Sequence, residues 1–427
     1  MNNEPREAEN LQYEESQVII FHEKLGRRKI DRYIINIALA YQKLGHKVRI
    51  LTSQYERHDC ITDIRFLDKV AIEHCGWWIP RSLLGFFRDT FSTLKAICMA
   101  LRLLFFPPDP KPELVILDVS LWALYILKCF TNYKLYYVEN FMFLRNTDAC
   151  YEHTKIHPSL LTAKWIKLAD EVIVETVGFA DILMKSHPSL IRKPTVLYPS
   201  IDLGLWNEPG INIQRIIPDL MDNNVLFLTV GKFRRSTNFK LALDAFELLL
   251  DLIDDKIATK RFQLVIAGNC RTLDEKFHYN ELMAIAKQRF CASQVTFLRQ
   301  LPTVHEKTLI MESAIMIHPA KNDVYSDFIL KAMSLGKPIV ATNKGIASKI
   351  LVHRLSGVII DPEPKMFAVA MKKLMTSPHL QVFLGDMAKD TFEKSYSFNS
   401  FCERINTMLK KIPPSSDPMD NDNEIKN

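Results

Sequence analysis

Leu226-Phe-Leu-Thr-Val-Gly-Lys-Phe-Arg-Arg-Ser-Thr-Asn-Phe-Lys-Leu-Ala-Leu-Asp-Ala-Phe246 runs from an apolar segment through Gly231 and a basic turn into a helical pattern that starts near Asn238. Strand, glycine, cationic loop and helix, in that order, present a helix N-terminus and positive side chains to an anion, usually a phosphate. Phe262-Gln-Leu-Val-Ile-Ala-Gly268 is again a strand that ends on a glycine. Ala314-Ile-Met-Ile-His-Pro319 leads through Lys321-Asn-Asp-Val-Tyr-Ser-Asp327 into the helical Phe328-Ile-Leu-Lys-Ala-Met333. Three such exits in one half of the chain define a sheet edge where a ligand can sit. Lys232 and Arg235 are its candidate diphosphate cations, with a solvated basic turn as the plainer reading.

Toward the N-terminus, Gln17-Val-Ile-Ile-Phe-His22 reads as a strand running into Glu23-Lys-Leu-Gly-Arg-Arg-Lys29. Ile30, Ile34, Ile37, Ala38, Tyr41 and Leu44 recur at helical steps, Gly45 supplies a C-cap, and Lys47-Val-Arg-Ile-Leu-Thr52 is the next strand. This βαβ unit makes the first half doubly wound as well. Buried strands follow at Leu114–Asp118, Lys134–Val138, Glu171–Val174 and Thr195–Pro199. In the second half, Gln294–Leu298, Pro338–Thr342 and Gly357–Asp361 add three more. The segment from Tyr198 to about Asp222 carries the domain boundary, giving domains at 17–205 and 206–411 and a disordered tail at 412–427.

The chain of 427 residues is long enough for two such domains, each with its own core. Hydrophobic residues at 48% and charged ones at 24% exclude general disorder. The net charge of +6 suits an anionic substrate, an anionic membrane surface or nucleic acid, and no nucleic-acid-binding motif supports the last. Eight scattered cysteines without a Cys-x-x-Cys argue against a zinc site or disulfide scaffold and for a reducing compartment. The polar, glutamate-rich opening carries no signal peptide, so a cytosolic functional face is expected. Trp77-Trp78-Ile79-Pro80-Arg81 and the apolar run from Leu83 to Phe106 stand apart. Arg88, Asp89, Lys95 and Arg102 interrupt that run, against the ~20 apolar residues of a spanning helix. It reads either as an amphipathic helix in the lipid interface or as a domain helix with a few exposed charges.

Leu44-Gly-His-Lys-Val-Arg-Ile-Leu-Thr-Ser-Gln-Tyr55, Trp78-Ile-Pro-Arg81, Val196-Leu-Tyr-Pro-Ser200, Leu241–Phe246, Val265-Ile-Ala-Gly268 and Val295-Thr-Phe-Leu-Arg299 together resemble the retaining, two-domain glycosyltransferases of family 4. Within them the chain looks like a divergent dolichol-pathway α-1,3/1,6-mannosyltransferase of the endoplasmic reticulum, from about Val18 to Leu409. The resemblance implies a GT-B fold, two Rossmann-like domains facing a central cleft. It implies a GDP-mannose donor on the C-terminal domain and a dolichyl-diphosphate-linked oligosaccharide acceptor on the N-terminal one. Transfer retains configuration with no metal or further cofactor, at the cytosolic face of the membrane, beside other glycosyltransferases of the pathway.

Several positions depart from the family pattern. Lys232 keeps the first of its basic pair, while the second falls on Thr237, with Arg235 and Lys240 nearby. The family's two glutamates fall on Asp323 and Lys331, so one charge is kept and one reversed. The Gly-Gly loop after the first strand is Gly26-Arg27-Arg28-Lys29, which meets the acceptor's pyrophosphate, anionic headgroups or only solvent. The expected histidine after Val138 is Glu139, either a surrogate catalytic group or a plain loop glutamate. The Gly-Gly-Pro loop is shortened to Lys344-Gly-Ile346, and His22 is expected to be structural. The resemblance thus assigns Gly231, Lys232, Arg235, Asp323 and Lys331 to the donor, Gly26, Arg27 and Arg28 to the acceptor side, and Asp323 and Glu139 to catalysis. A catalytically silent relative that serves an active enzyme as partner or regulator is the alternative.

Overall fold

The computed structural model describes residues 16–26, 28–55, 70–83, 86–139, 164–188, 190, 192–201, 206, 209–221, 224–253 and 261–410. Arg27, the expected tail at 412–427 and part of the expected boundary, 202–205, lie outside the described residues.

The first half contributes β1 (Gln17–Phe21), β2 (Lys24–Leu25), β3 (Lys47–Thr52), β4 (Gln54–Tyr55), β5 (Ala71–His74), β6 (Pro112–Leu117), β7 (Lys134–Val138), β8 (Glu171–Val174) and β9 (Thr195–Val196). Seven of these form one sheet in the order β5-β3-β1-β6-β7-β8-β9, and β2 pairs with β4 in a separate ribbon. Every pairing in the sheet is parallel. Its helices are α1 (Lys29–Lys43), α2 (Arg88–Phe105), α3 (Leu121–Phe130) and α4 (Val177–Ser186). A parallel sheet needs both faces covered, which is why β1 and β6 read as unbroken apolar runs and are almost wholly buried.

The second half supplies β10 (Asn224–Lys232), β11 (Arg261–Asn269), β12 (Val295–Arg299), β13 (Ile315–His318), β14 (Ile339–Thr342) and β15 (Val358–Ile360). They form a parallel sheet in the order β12-β11-β10-β13-β14-β15. Its helices are α5 (Phe239–Asp251), α6 (Leu273–Lys287), α7 (Thr303–Glu312), α8 (Asp327–Ser334), α9 (Ala347–Ile350), α10 (Pro364–Thr376), α11 (Pro378–Ser395) and α12 (Phe398–Lys410). In each sheet the chain winds outward one way, then returns to wind the other. The reversals fall between β1 and β6 and between β10 and β13, and open sheets bind ligands at such switch points.

Local chemistry explains the element ends. Gly45 adopts φ +94°, its N–H bonds the Gln42 carbonyl and the His46 N–H bonds that of Tyr41, a Schellman closure that ends α1. The strand expected at Thr195–Pro199 shortens to Thr195–Val196. The last helix departs from the expected 206–411 unit. Phe401, Cys402, Ile405 and Met408 of α12 bury in the first domain's core beside Tyr33 and Ile34, so the chain's end crosses back and ties the two halves together.

The apolar run forms a domain helix with one face in the core and exposed aromatic residues nearby. Ala96, Met99, Ala100 and Leu103 bury one face of α2 in the core, and Lys95 is buried with its ammonium 3.5 Å from Glu23. Phe86, Phe87, Phe105 and Phe106 at the two ends of that helix, and Trp77 and Trp78 in the segment before it, are all at least 65% exposed. Among the described residues no helix is long and apolar enough to cross a membrane.

Candidate functional site

The C-terminal edge of the first sheet carries a buried ionic chain. His22 follows β1 and Asp118 follows β6, so the switch point itself brings His22 Nδ1 to 2.7 Å from Asp118 Oδ2. The other ring nitrogen, Nε2, lies 3.0 Å from Asp31 Oδ1 on the first turn of α1. Burial alone lowers the His22 pKa, but the two facing carboxylates outweigh it and raise it to about 9. At neutral pH the imidazolium is therefore a fixed cation rather than a base. Burial raises the Asp31 carboxyl, yet hydrogen bonds from His22 and Arg28 bring it below its ordinary value.

Arg28, expected to face an acceptor diphosphate, sends its guanidinium inward. Its Nε donates to both Asp31 oxygens at 3.0 and 3.1 Å, and one terminal nitrogen donates to the Lys24 carbonyl at 2.8 Å. Gly26 sits against the same carboxylate, and a Cβ there would come within 3.3 Å of Asp31 Oδ2. The basic loop is thus a clamp on Asp31, and its charge at Arg28 is committed. Glu139 follows β7 with its N–H bonded to the Ile173 carbonyl, and burial pushes its carboxyl up to about 7. A carboxyl that changes charge near neutrality can accept or donate a hydrogen bond to a sugar hydroxyl.

Across the cleft, Gly231 and Gly268 stand opposite each other in register. A Cβ on Gly268 would run into the Gly231 carbonyl, so only glycine lets these two strands end side by side. Lys232 closes β10. Thr237 donates its hydroxyl to the Lys232 carbonyl at 2.7 Å and tightens the turn. Arg235 projects from that turn, exposed, 3.4 Å from Glu281 of α6. Lys321 N–H bonds the Ser236 carbonyl at 3.0 Å, which joins the loop after β13 to the loop after β10 at the second switch point.

Asp323 is placed by that joined loop and is used internally. Its Oδ2 lies 2.9 Å from His318 Nε2, while its carbonyl and Oδ1 accept the Ile346 N–H at 2.9 and 3.2 Å. Gly345 adopts φ +64°, and a Cβ there would collide with Asp323. The carboxylate therefore holds the shortened Lys344-Gly345-Ile346 loop in place. Lys331, one turn into α8, puts its ammonium 2.7 Å from Glu306 of α7 and 3.3 Å from Asp327. Burial would lower its pKa, but Asp327 and Glu306 raise it. Asp327 also meets Lys29 of α1 at 2.9 Å, so a line of alternating charge crosses from one domain to the other.

The Lys321–Ser236 contact joins the loops that carry Lys232, Arg235 and Asp323, Lys331 follows one turn into α8, and Gly26, Arg28 and His22 gather on Asp31 at the edge of the first sheet, with Glu139 after β7. Glu306, Asp327 and Thr176 were not foreseen, although the Asp327-to-Lys331 spacing is an ordinary helical ion-pair signal. A cavity of about 390 Å³, lined by Asn212, Gln214, Asn224 and Glu312 among others, lies at the opposite end of β10, apart from these residues.

Residues 211–391 match the family described as Glycosyl transferases group 1. The chain is 25% identical over 417 residues to alpha-1,3/1,6-mannosyltransferase ALG2 of Dictyostelium discoideum, covering 93% of this chain and 99% of that one. It is 24% identical over 418 residues to the Homo sapiens protein of the same name, covering 92% and 96%. Among solved structures, a glycosyltransferase from Rickettsia africae superposes with a TM-score of 0.68 at 14% identity, covering 95% of this chain and all of the other. Anabaena HepE in complex with UDP-glucose gives a TM-score of 0.63 at 14% identity, covering 93% and all of the other. The fold is GT-B, residues 211–391 match the group 1 glycosyltransferase model, and the chain is similar over nearly its whole length to the α-1,3/1,6-mannosyltransferases.

Proposed function

We propose that the protein transfers mannose, with retention, from GDP-mannose to a dolichyl-diphosphate-linked oligosaccharide during assembly of the N-glycan precursor. The observation that supports this most is a whole-length similarity to α-1,3/1,6-mannosyltransferases in a chain of two parallel-sheet domains that meet at Lys29 and Asp327. In the transfer, the bond from the mannosyl C1 to the diphosphate oxygen breaks as a bond to the acceptor oxygen forms. Negative charge grows on the leaving diphosphate, so cations and backbone N–H groups that meet it there lower the barrier.

Lys232 at the end of β10 is the cation in register with the donor loop, and Arg235 supplies a second, exposed one. Asp323 acts as a positioning residue by holding the 344–346 loop, and Lys331, paired with Glu306 and Asp327, fixes α8 beside it. Glu139 faces the sugar from the other domain, and no metal or further cofactor takes part. The exposed aromatic residues at the ends of α2 and in the segment before it suit the headgroup depth of a bilayer, which supports a reading with the acceptor's lipid beside the first domain. The assigned location is the cytosolic face of the endoplasmic reticulum membrane, beside other enzymes of the pathway.

Calorimetry of the purified protein with GDP-mannose and with GDP tests the donor assignment. The expected result is binding of both in the micromolar range, lost for Lys232→Ala. Absence of binding for both ligands would overturn it and leave the fold serving as partner to an active enzyme.

A further inference from the structure

The charge line between the domains coincides with a packing contact. Val324 and Tyr325, between Asp323 and α8, leave their own domain and pack against the core of the first. Thr176, the N-cap of α4, donates its hydroxyl to the Val324 carbonyl at 2.8 Å. Gly178 lies so close that a Cβ would stand 3.3 Å from Val324 Cβ and from its carbonyl oxygen. Next to this contact the Lys29 ammonium sits 5.0 Å from the centre of the Tyr325 ring and 2.9 Å from Asp327 Oδ1.

We propose that residues 324–327 are a built-in latch across the cleft, in which Asp327 occupies Lys29 in place of a ligand's diphosphate. Entry of a diphosphate-bearing ligand and release of the latch are then one event. The inference rests on the donor and acceptor reading above and concerns the regulation of that same site.

Two features make the latch reversible. The Lys29 and Asp327 side chains are 52% and 35% exposed, and ion pairs so open to water are weak and easily exchanged. Release also leaves no buried charge stranded. Lys331, only 12% exposed, keeps Glu306 at 2.7 Å when Asp327 turns away. A diphosphate carries more negative charge than the carboxylate it replaces, so Lys29 gains by the exchange. The Val324 seat adds one hydrogen bond and one close backbone approach to the partly buried packing of Val324 and Tyr325.

The test measures affinity and domain separation in the full chain. Calorimetry with inorganic pyrophosphate, GDP and geranyl diphosphate compares the wild type with Asp327→Asn, Lys29→Met and the double variant. Asp327→Asn should bind at least one diphosphate about fivefold more tightly, at the low end of coupling between sites. Lys29→Met should remove that gain. A gain for GDP alone assigns Lys29 to the nucleotide, and a gain for geranyl diphosphate alone assigns it to the lipid. Equal affinity of wild type and Asp327→Asn, or a gain that survives in the double variant, overturns the proposal. Small-angle scattering reads the latch without ligand. Asp327→Asn should widen the separation of the domains, and an unchanged profile overturns the latch while leaving the donor assignment intact. No binding by any variant overturns the exchange at Lys29 together with the donor assignment.

Discussion

The Lys331 ammonium lies 2.7 Å from the Glu306 carboxylate, two side chains that are each less than 15% exposed. The buried Lys331 charge is therefore answered by a carboxylate from the neighbouring helix. Removing one partner of such a pair strands the other in a desolvated place. Glu306→Gln should destabilise the fold by about 3 kcal/mol, with Asp327 keeping the effect at the low end for buried pairs. Glu306→Gln combined with Lys331→Met should recover most of that loss. Urea midpoints of the three variants give the coupling, and a double variant that is no better than Glu306→Gln would contradict the pairing.

His22 predicts a pH dependence with a definite sign. Its pKa is raised from 6.5 to about 9 in the folded chain, so the stability it contributes is complete below pH 6.5 and is lost as pH rises through 9. A shift of this size corresponds to about 3 kcal/mol. Asp31 works oppositely: its lowered pKa contributes stability above the ordinary carboxylate range that is lost as pH falls through the folded value. Asp118→Asn should flatten the loss between pH 6.5 and 9. Unfolding free energies at pH 6, 8 and 9.5 decide it, and equal slopes for both proteins would refute the role given to Asp118.

Gly345→Ala probes the donor loop through its backbone. The left-handed φ and the facing Asp323 carboxylate exclude a Cβ, so the substitution should cost about 2 kcal/mol or more and weaken GDP binding. Calorimetry on the folded variant separates the two effects. Unaltered GDP affinity would show that the 344–346 loop lies away from the donor.

The exposed tryptophans before α2 give a fourth expectation. Trp77→Ser with Trp78→Ser should lower partitioning onto phospholipid vesicles about tenfold, because each exposed ring offers apolar area to the bilayer interface. Flotation with liposomes measures it. Undiminished partitioning would move the lipid-facing surface elsewhere.

Local periodicity carried most of the fold. The apolar run to Gly231, the helical steps from Ile30 to Tyr41 and the Gly45 closure all lie within a few residues of the chain, where sequence pattern and backbone preference act together. The four-residue β5 at Ala71–His74 escaped because its side chains are only partly buried and show no apolar alternation. The return of α12 to the first domain was equally hidden, since an amphipathic stripe does not say which core it meets. At the site, local pattern gave the turn after β10 and the loop and helix that carry Asp323 and Lys331. Their partners were not legible. Asp118 lies 96 residues from His22, and Glu306 lies 25 from Lys331. Arg28 looked like a free cation because nothing in Gly-Arg-Arg-Lys shows that Asp31, three residues on, turns back to hold it.

Mannosyl transfer itself tests the central claim most directly. Purified protein would be incubated with radiolabelled GDP-mannose and a dolichyl-diphosphate-linked acceptor in liposomes, and the lipid extract separated. The account predicts a mannosylated lipid product with retained configuration, reduced about a hundredfold by Lys232→Ala, the scale on which loss of one charge-stabilising group slows a reaction. No labelled lipid from the wild-type protein, under conditions where a related mannosyltransferase forms it, would contradict the account.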